Sequence, residues 1–150
     1  MKVYLDTSVF GGAIDIEFKK WSLKLFDEIQ KGKHLAVISD VTVRELEDAP
    51  LRVRRILDAI PQKHRINVLA NEVVISLANQ YISEEAITEK SYNDALHIAL
   101  ATIYSVDALI SWNFKHIVNL NRIRLYNAVN LKFGYSAIDI RSPREVLSET

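Results

Sequence analysis

VYLDTS, residues 3–8, is a short apolar run that ends abruptly on an acidic residue followed by two hydroxyl residues. Apolar runs of this kind indicate strands that are buried on both faces, as they are in the parallel sheets of α/β proteins. Residues 35–38, 108–112 and 137–140 have the same character. Segments with helical spacing lie between these strands. The alternation predicts an α/β fold with a central, mainly parallel sheet.

Helices are predicted where apolar residues recur every three to four positions between caps and breakers. They cover residues 18–30, 40–49, 51–60, 72–81, 92–104 and 121–133, with a further helical turn from residue 142. A strand remains an alternative for Val73-Val74-Ile75. The proline-bounded region 49–66 is predicted to be the most flexible arm. Because no linker or internal repeat divides the chain, residues 1–150 are expected to form a single domain.

The composition narrows the classes of function. The 150 residues, 49% of them hydrophobic, are enough for one domain with a sizeable core. Lys plus Arg equals Asp plus Glu, at 19 each, so any nucleic-acid role needs local patches of charge. The absence of cysteine excludes disulfides, zinc-thiolate sites and cysteine nucleophiles. Without a signal-peptide pattern or an apolar run of about 20 residues, we expect a cytoplasmic protein that contacts no membrane.

Three acidic residues, Asp6, Glu45 and Asp94, fall where the chain turns between strand and helix. Asp6 follows the first strand, Glu45 lies in the helix that leaves the second, and Asp94 opens a helix that leads to a third. In an open parallel sheet, ligands bind beyond the carboxyl ends of the strands. We therefore expect the three acids at that edge, together with Asn113, which follows the strand at residues 108–112.

Carboxylates that are gathered in this way repel one another. Two unit charges about 5 Å apart cost roughly 3 kcal/mol at an effective dielectric constant near 20. A fold that collects three of them needs a cation at that place, and oxygen ligands suit Mg²⁺ or Mn²⁺. The pattern therefore predicts a divalent metal site and, with it, phosphate chemistry.

A purely structural explanation stays open for two of the acids. Thr42-x-x-Glu45 and Ser91-x-x-Asp94 both fit the capping-box pattern. Acids in the first turn of a helix also favour the helix dipole by about 0.3–1 kcal/mol. Asp6 differs from them because it caps no evident helix.

Hydroxyl residues and a histidine accompany the acids in sequence. Thr7, Ser8 and Ser111 are candidates for orienting a water molecule or a phosphate, although the first two can instead satisfy the backbone of the turn. His97 lies three residues after Asp94 and can reach the same edge of the sheet, although a packed or capping histidine is the favoured interpretation.

Five segments together resemble the PIN-domain family of metal-dependent ribonucleases, most of all its VapC-type toxin branch. These segments are Tyr4–Val9, Thr42–Leu46, Asn93–Ala99, Leu109–Asn113 and Ile140–Glu145. Each is weak by itself, but their order and spacing extend over nearly the whole chain and are fairly specific. The resemblance implies a PIN-like three-layer sandwich, with a central, mainly parallel sheet of four to five short strands flanked by helices.

The resemblance also implies an activity, a cofactor and partners. Mg²⁺ or Mn²⁺ would be held by Asp6, Glu45 and Asp94, and the protein would be an endoribonuclease that acts on single-stranded or loop RNA. Many family members have a fourth acid where Asn113 stands. Because asparagine brings no charge, strong binding of a second metal ion is not expected. Besides RNA, the implied partners are a small antitoxin protein and a second copy of the chain in a homodimer.

Three basic residues near the expected cleft are candidate contacts for an RNA backbone: Arg44, Lys115 and His116. The alternative is that they belong to ordinary solvated surface. A PIN-like scaffold that has lost its chemistry and binds protein or RNA also stays open, with Asn113 as its best support. A receiver-type phosphoacceptor domain fits less well. Asp40 follows the second strand, but no acidic pair stands beside Asp6.

Overall fold

The computed structural model describes residues 1–148, which contain five strands and eight α-helices. The strands are β1 (Lys2–Leu5), β2 (Leu35–Ser39), β3 (Arg65–Val68), β4 (Ala108–Ile110) and β5 (Ile140–Arg141). The helices are α1 (Thr7–Gly11), α2 (Lys19–Gln30), α3 (Asp40–Leu46), α4 (Leu51–Asp58), α5 (Glu72–Ser83), α6 (Tyr92–Ile103), α7 (Leu120–Lys132) and α8 (Pro143–Ser148). Within residues 1–148, no helix is both long enough and apolar enough to span a bilayer.

All strands pair in parallel, in the order β3-β2-β1-β4-β5. The chain leaves the central strand β1 toward β2 and β3, and it later returns to the other side of β1 to form β4 and β5. This reversal produces a switch point between β1 and β4, where an open α/β sheet has its binding crevice. The predicted α/β fold with a parallel sheet is confirmed.

Helices cover both faces of the sheet and enclose a core on each side. Tyr4, Val37 and Leu109 are neighbours in the strand register, and they pack against α5, α6 and α7. Leu5 and Ile110 point to the opposite face, where they pack against α1, α2, α4 and α8. The strands are apolar on both faces because each face is buried. The molecule is therefore a three-layer sandwich, as expected.

Three local features of the chain can be compared with the sequence predictions. The region 49–66, predicted to be a flexible arm, contains α4, a 3₁₀ turn and the start of β3. The edge strand β3 is difficult to recognise in the sequence because Arg65 and Asn67 interrupt its apolar pattern. Residues 73–75 are helical, and the Asn71 side chain caps α5 by accepting from the backbone N–H of Val74 at 3.1 Å.

The loop after α1 passes very close to a tryptophan that follows β4. A methyl group at Gly12 would lie 2.6 Å from both Trp112 Nε1 and Ser22 Oγ. These two atoms form a buried hydrogen bond of 2.8 Å. Glycine at this position therefore allows the loop to pack directly against that hydrogen bond.

Gly12→Ala is expected to destabilise the protein by about 1–3 kcal/mol, because the added methyl group overfills a closely packed site. The free energy of unfolding in urea measures the effect. Gly11→Ala is the matched control, since no atom lies within 4 Å of the position of its added methyl group. Equal stability of the two variants would contradict the packing argument.

Candidate active site

The candidate site lies at the carboxyl ends of β1 and β4. Asp6 follows β1 directly and is 3% exposed, whereas Asp94 lies in the first turn of α6 and Glu45 in the last turn of α3. Burial raises the pKa of Asp94, and the negative charges of Asp6 and Glu45 raise it further. Asp94 is thus within reach of the charges of Asp6 and Glu45, and these three acids are called the acidic cluster below.

Two serine hydroxyls hold the carboxylate of Asp6. Ser8 Oγ donates to Oδ1 and Ser111 Oγ donates to Oδ2, each at 2.6 Å. The backbone N–H groups of Trp112 and Asn113 donate in turn to Ser8 Oγ and Ser111 Oγ. Burial raises the pKa of Asp6, and the two serine hydrogen bonds oppose that rise. Both serines therefore orient the carboxylate, and Ser8 also satisfies the turn backbone, as the alternative from the sequence had it. A role of either serine in orienting a water molecule or a phosphate stays a prediction.

Glu45 ends a line of hydrogen bonds that runs into the core. His97 Nε2 lies 2.6 Å from Glu45 Oε1, and Tyr4 OH lies 2.6 Å from His97 Nδ1. Behind them, Ser39 Oγ lies 2.8 Å from Tyr4 OH. Thr7 Oγ1 also donates to Glu45 Oε1, at 2.9 Å. Glu45 is thus held by partners from α1 and α6 rather than by its own helix, and Tyr4 of β1 acts on it only through His97.

The charge state of Glu45 follows from this arrangement. Burial raises its pKa, but the hydrogen bond and positive charge of His97 outweigh that effect and hold the pKa below its usual range. Thr7 and Arg44 act in the same direction as His97. Glu45 is therefore ionised at neutral pH, and His97 donates its Nε2 proton to it. Burial also raises the pKa of Tyr4, so its hydroxyl keeps its proton.

Asn113 acts on Asp94 as a hydrogen-bond donor. Its Nδ2 lies 3.4 Å from Asp94 Oδ2. Its Oδ1 accepts the backbone N–H groups of Lys115 at 3.2 Å and His116 at 2.9 Å. The side-chain oxygen that could have bound a metal ion is therefore used to shape the turn after β4.

Glu45 does not belong to a capping box in the structure. The cap of α3 is Ser39, whose Oγ accepts the backbone N–H of Thr42 at 3.1 Å. Thr42 Oγ1 donates instead to the backbone carbonyl of Leu5 at 3.2 Å. The capping alternative that the sequence left open for Glu45 is thus wrong.

The capping-box alternative is wrong for Asp94 as well. The Ser91 side chain makes no capping hydrogen bond at the start of α6. By contrast, Ser142 and Glu145 form both reciprocal bonds of a true capping box, at 3.1 and 3.2 Å. Asp94 still lies in a first helical turn, where the helix dipole favours an acid.

The fit of this cluster to a divalent ion can be judged from its donor atoms. Among residues 1–148, no Lys or Arg forms a salt bridge with the cluster, and neither Asp94 Oδ1 nor Glu45 Oε2 accepts a hydrogen bond. These oxygens are hard donors of the kind that Mg²⁺ and Mn²⁺ prefer. In the same range, no group of three or more His, Cys, Asp or Glu side chains is spaced to hold an ion as it stands. The donors fit in kind, and an ion would have to draw them closer against their repulsion.

Basic side chains border the cluster. The charge of Arg44 adds to the effect of His97 that holds the pKa of Glu45 low, and the charge of His116 opposes the rise that burial causes in the pKa of Asp94. Lys115 is exposed beside them. The structure therefore brings these three candidate phosphate contacts to the same edge of the sheet as the acids.

Sequence reasoning missed Tyr4 and did not favour His97 as a site residue. His97 is 2% exposed, as a packed histidine is, and it also contacts Glu45 and Tyr4, so it reaches the acidic cluster as the sequence allowed. Its position three residues after Asp94 places both side chains on one face of α6. Tyr4 lies two residues before Asp6, so both point to the same face of β1. These two spacings were the available signals.

Comparison with known proteins supports only the fold. No protein-family model matches the chain, and no curated protein matches it significantly. A solved structure, the tryptophanyl-tRNA synthetase from Campylobacter jejuni, is similar with a TM-score of 0.50 and 10% sequence identity. The match covers 95% of this chain and 54% of the synthetase chain, so the chain spans about half the length of that protein. At this identity the likeness indicates a shared α/β architecture and carries no activity over.

Proposed function

We propose that this chain is a Mg²⁺- or Mn²⁺-dependent endoribonuclease of the PIN-domain type, similar to VapC toxins, which hydrolyses phosphodiester bonds in single-stranded or loop RNA. The supporting observation is that the charges of Asp6 and Glu45 reach Asp94 at one sheet edge, and that none of these three acids forms a salt bridge with Lys or Arg among residues 1–148. A cation bound among these carboxylates would offset their mutual repulsion.

Asp6, Glu45 and Asp94 are the residues that would hold the ion. When bound, such an ion stabilises the negative charge that develops on the phosphate and on the leaving oxygen. Ser8 and Ser111 fix the orientation of Asp6 for this task, so its carboxylate does not have to reorganise.

The other side chains have separate tasks in the proposed reaction. Glu45, which is ionised at neutral pH, either completes the shell of the ion or accepts a proton from the attacking water. The water oxygen bonds to phosphorus and the bond from phosphorus to the 3′-oxygen breaks. This leaves a 5′-phosphate and a 3′-hydroxyl, the products that the family resemblance implies. Arg44, Lys115 and His116 hold the RNA backbone beside the acids.

Cleavage of end-labelled RNAs with single-stranded and loop regions tests the proposal directly. We expect cleavage in Mn²⁺ or Mg²⁺, none in excess chelator, and recovery when the ion is restored. Sequencing of the product ends checks the 5′-phosphate. Cleavage that persists in chelator would contradict the proposed chemistry.

Addition of Mn²⁺ is expected to raise the unfolding temperature of the wild-type protein, because an ion that binds only the folded state stabilises it. At a free Mn²⁺ concentration of 100 times the dissociation constant, the free energy of unfolding rises by about 2.7 kcal/mol. Differential scanning calorimetry measures it, and Asp94→Asn should lose most of the gain. An equal gain in wild type and variant would place the ion elsewhere.

A catalytically weakened scaffold that binds protein or RNA is the second candidate. The neutral Asn113, which turns its N–H toward Asp94, and the absence of a ready metal group in residues 1–148 favour it. RNA binding without heat of binding for millimolar Mn²⁺ would support this alternative. A receiver-type domain has no such support, because Asp40 Oδ1 accepts the backbone N–H of Ala70 at 3.0 Å and serves the loop after β3.

The proposal extends to biological partners. As the toxin of a toxin–antitoxin pair, the chain would act in the cytoplasm, form a homodimer and be inhibited by a small antitoxin protein. Growth arrest on induced expression, and its relief by a protein encoded in an adjoining reading frame, would test the toxin role. Light scattering measures the oligomeric state.

A further inference from the structure

Three aromatic rings, called the aromatic cluster here, lie directly beyond the carboxyl end of β4: Phe18, Trp112 and Phe114. Phe18 stacks on Trp112 with a centroid distance of 4.2 Å and an interplanar angle of 16°. The ring of Phe114 meets Trp112 edge-on, with a centroid distance of 6.1 Å, and lies tilted by 51° to Phe18 at 6.3 Å. Trp112 is 7% exposed and is fixed by its hydrogen bond to Ser22. Two of the rings therefore form a rigid base on which the third rests.

Phe114 differs from the other two rings because it is 49% exposed. A ring that only closed the core would be covered, as Phe10 is at 0% and Phe26 at 9%. Phe114 directly follows Asn113, whose side chain contacts Asp94. A solvent-facing aromatic ring thus directly follows the residue that contacts Asp94.

Three lysines lie next to the aromatic cluster in the sequence. Lys115 follows Phe114, and Lys19 and Lys20 follow Phe18; all three are exposed, and none forms a salt bridge within the described part of the chain. Lys20 Nζ lies 4.9 Å from the centre of the Trp21 ring, and the exposed Asp15 and Glu17 precede Phe18. Phosphates are attracted by these lysines and repelled by the carboxylates. A nucleic-acid strand could therefore keep its backbone on the basic side and lay one base on the exposed ring.

We propose that Phe114 is a stacking platform for an unpaired nucleobase next to the scissile phosphate. The inference rests on the proposed nuclease function and deepens it by naming the recognised group. Stacking on an aromatic ring requires a base that is free of its duplex, so the platform selects single-stranded or loop segments over paired ones. Phe18 and Trp112 position the ring before the substrate arrives, which lowers the entropic cost of binding.

The test measures binding of a short single-stranded RNA by fluorescence anisotropy in the Asp6→Asn background, where cleavage is not expected to consume the probe. Phe114→Ala should weaken binding about tenfold, and Phe114→Tyr should keep it within about twofold. Phe133→Ala is the matched control. Phe133 is 39% exposed beside Lys132, but it follows α7 at the opposite edge of the sheet.

A second measurement separates stacking from a general loss of structure. Replacing one nucleotide of the probe with an abasic site should weaken binding to the parent protein at one position. In the Phe114→Ala variant, the same replacement should weaken binding of the probe little further, because the contact with the base is already lost. DNA of the same sequence distinguishes recognition of any unpaired base from recognition of RNA alone, since stacking itself tolerates both sugars.

The outcomes separate this inference from the proposed function. If the parent binds RNA and the affinity of Phe114→Ala for it lies within twofold of the parent's, the platform is wrong and the nuclease proposal stands. If Phe114→Ala changes the oligomeric state but not RNA binding, the ring serves a protein contact and the platform is again wrong. If the wild type neither binds nor cleaves single-stranded RNA or DNA, both proposals fail.

Discussion

Asp6→Asn is expected to lower RNA cleavage by more than about 100-fold and to leave the protein folded. Loss of groups that merely support a metal ligand typically costs 10–100-fold, and Asp6 is the most buried member of the acidic cluster. The substitution removes one negative charge and keeps an oxygen that one of the two serines can still donate to. The rate of cleavage in saturating Mn²⁺ measures the loss.

Stability gives the independent part of this test. Burial raises the pKa of Asp6, which means that its ionised form costs folding free energy above the pKa of the unfolded chain. That cost disappears as the pH falls through the raised pKa, and it is absent in the asparagine variant. The variant should therefore melt at or above the wild-type temperature at neutral pH in chelator.

Asp107→Asn is the matched control for this substitution. Asp107 precedes β4 at the opposite edge of the sheet and accepts the backbone N–H of Lys2 at 2.7 Å, a bond that asparagine can keep. Its cleavage rate should stay within about twofold of wild type, as for surface changes away from a site. Full activity of Asp6→Asn would exclude the acidic cluster as the reactive site.

His97→Gln is expected to lower cleavage by about 10–100-fold, with a similar loss of Mn²⁺ affinity and little change in KM. His97 joins Tyr4 to Glu45 at 2.6 Å on each side, and a flexible amide cannot hold both contacts in one geometry. Glu45 would then lose its fixed orientation. We regard His97 as a positioning residue, because it acts on the chemistry through Glu45.

The Mn²⁺ affinity, followed by calorimetry below the melting transition, separates positioning from a loss of folded protein. His64→Gln is the control, since this partly buried histidine precedes β3 and so lies at the amino ends of the strands, away from the acidic cluster. Tyr4→Phe should have a smaller effect than His97→Gln because it removes only the outer hydrogen bond. If His97→Gln keeps wild-type Mn²⁺ affinity and activity, the line from Tyr4 to Glu45 serves the core alone.

The central strands could be predicted because their residues are apolar without interruption. Val3–Leu5 and Leu35–Ile38 are hydrophobic at every position, which only a strand covered on both faces requires. The edge strand β3 could not be predicted in the same way. It has one neighbour and exposes Asn67, so its pairing with β2 is not encoded in a local pattern.

The sequence by itself determined the α/β class and the edge of the sheet to which Asp6, Glu45 and Asp94 belong, because both follow from the order of strands and helices. Only the tertiary structure decided what holds those acids. The contacts of Glu45 with Thr7 and His97 join residues 38 and 52 positions apart, and the contact of Asp6 with Ser111 spans 105. Such distant pairs are set by how three layers pack, and no local propensity or periodicity records them.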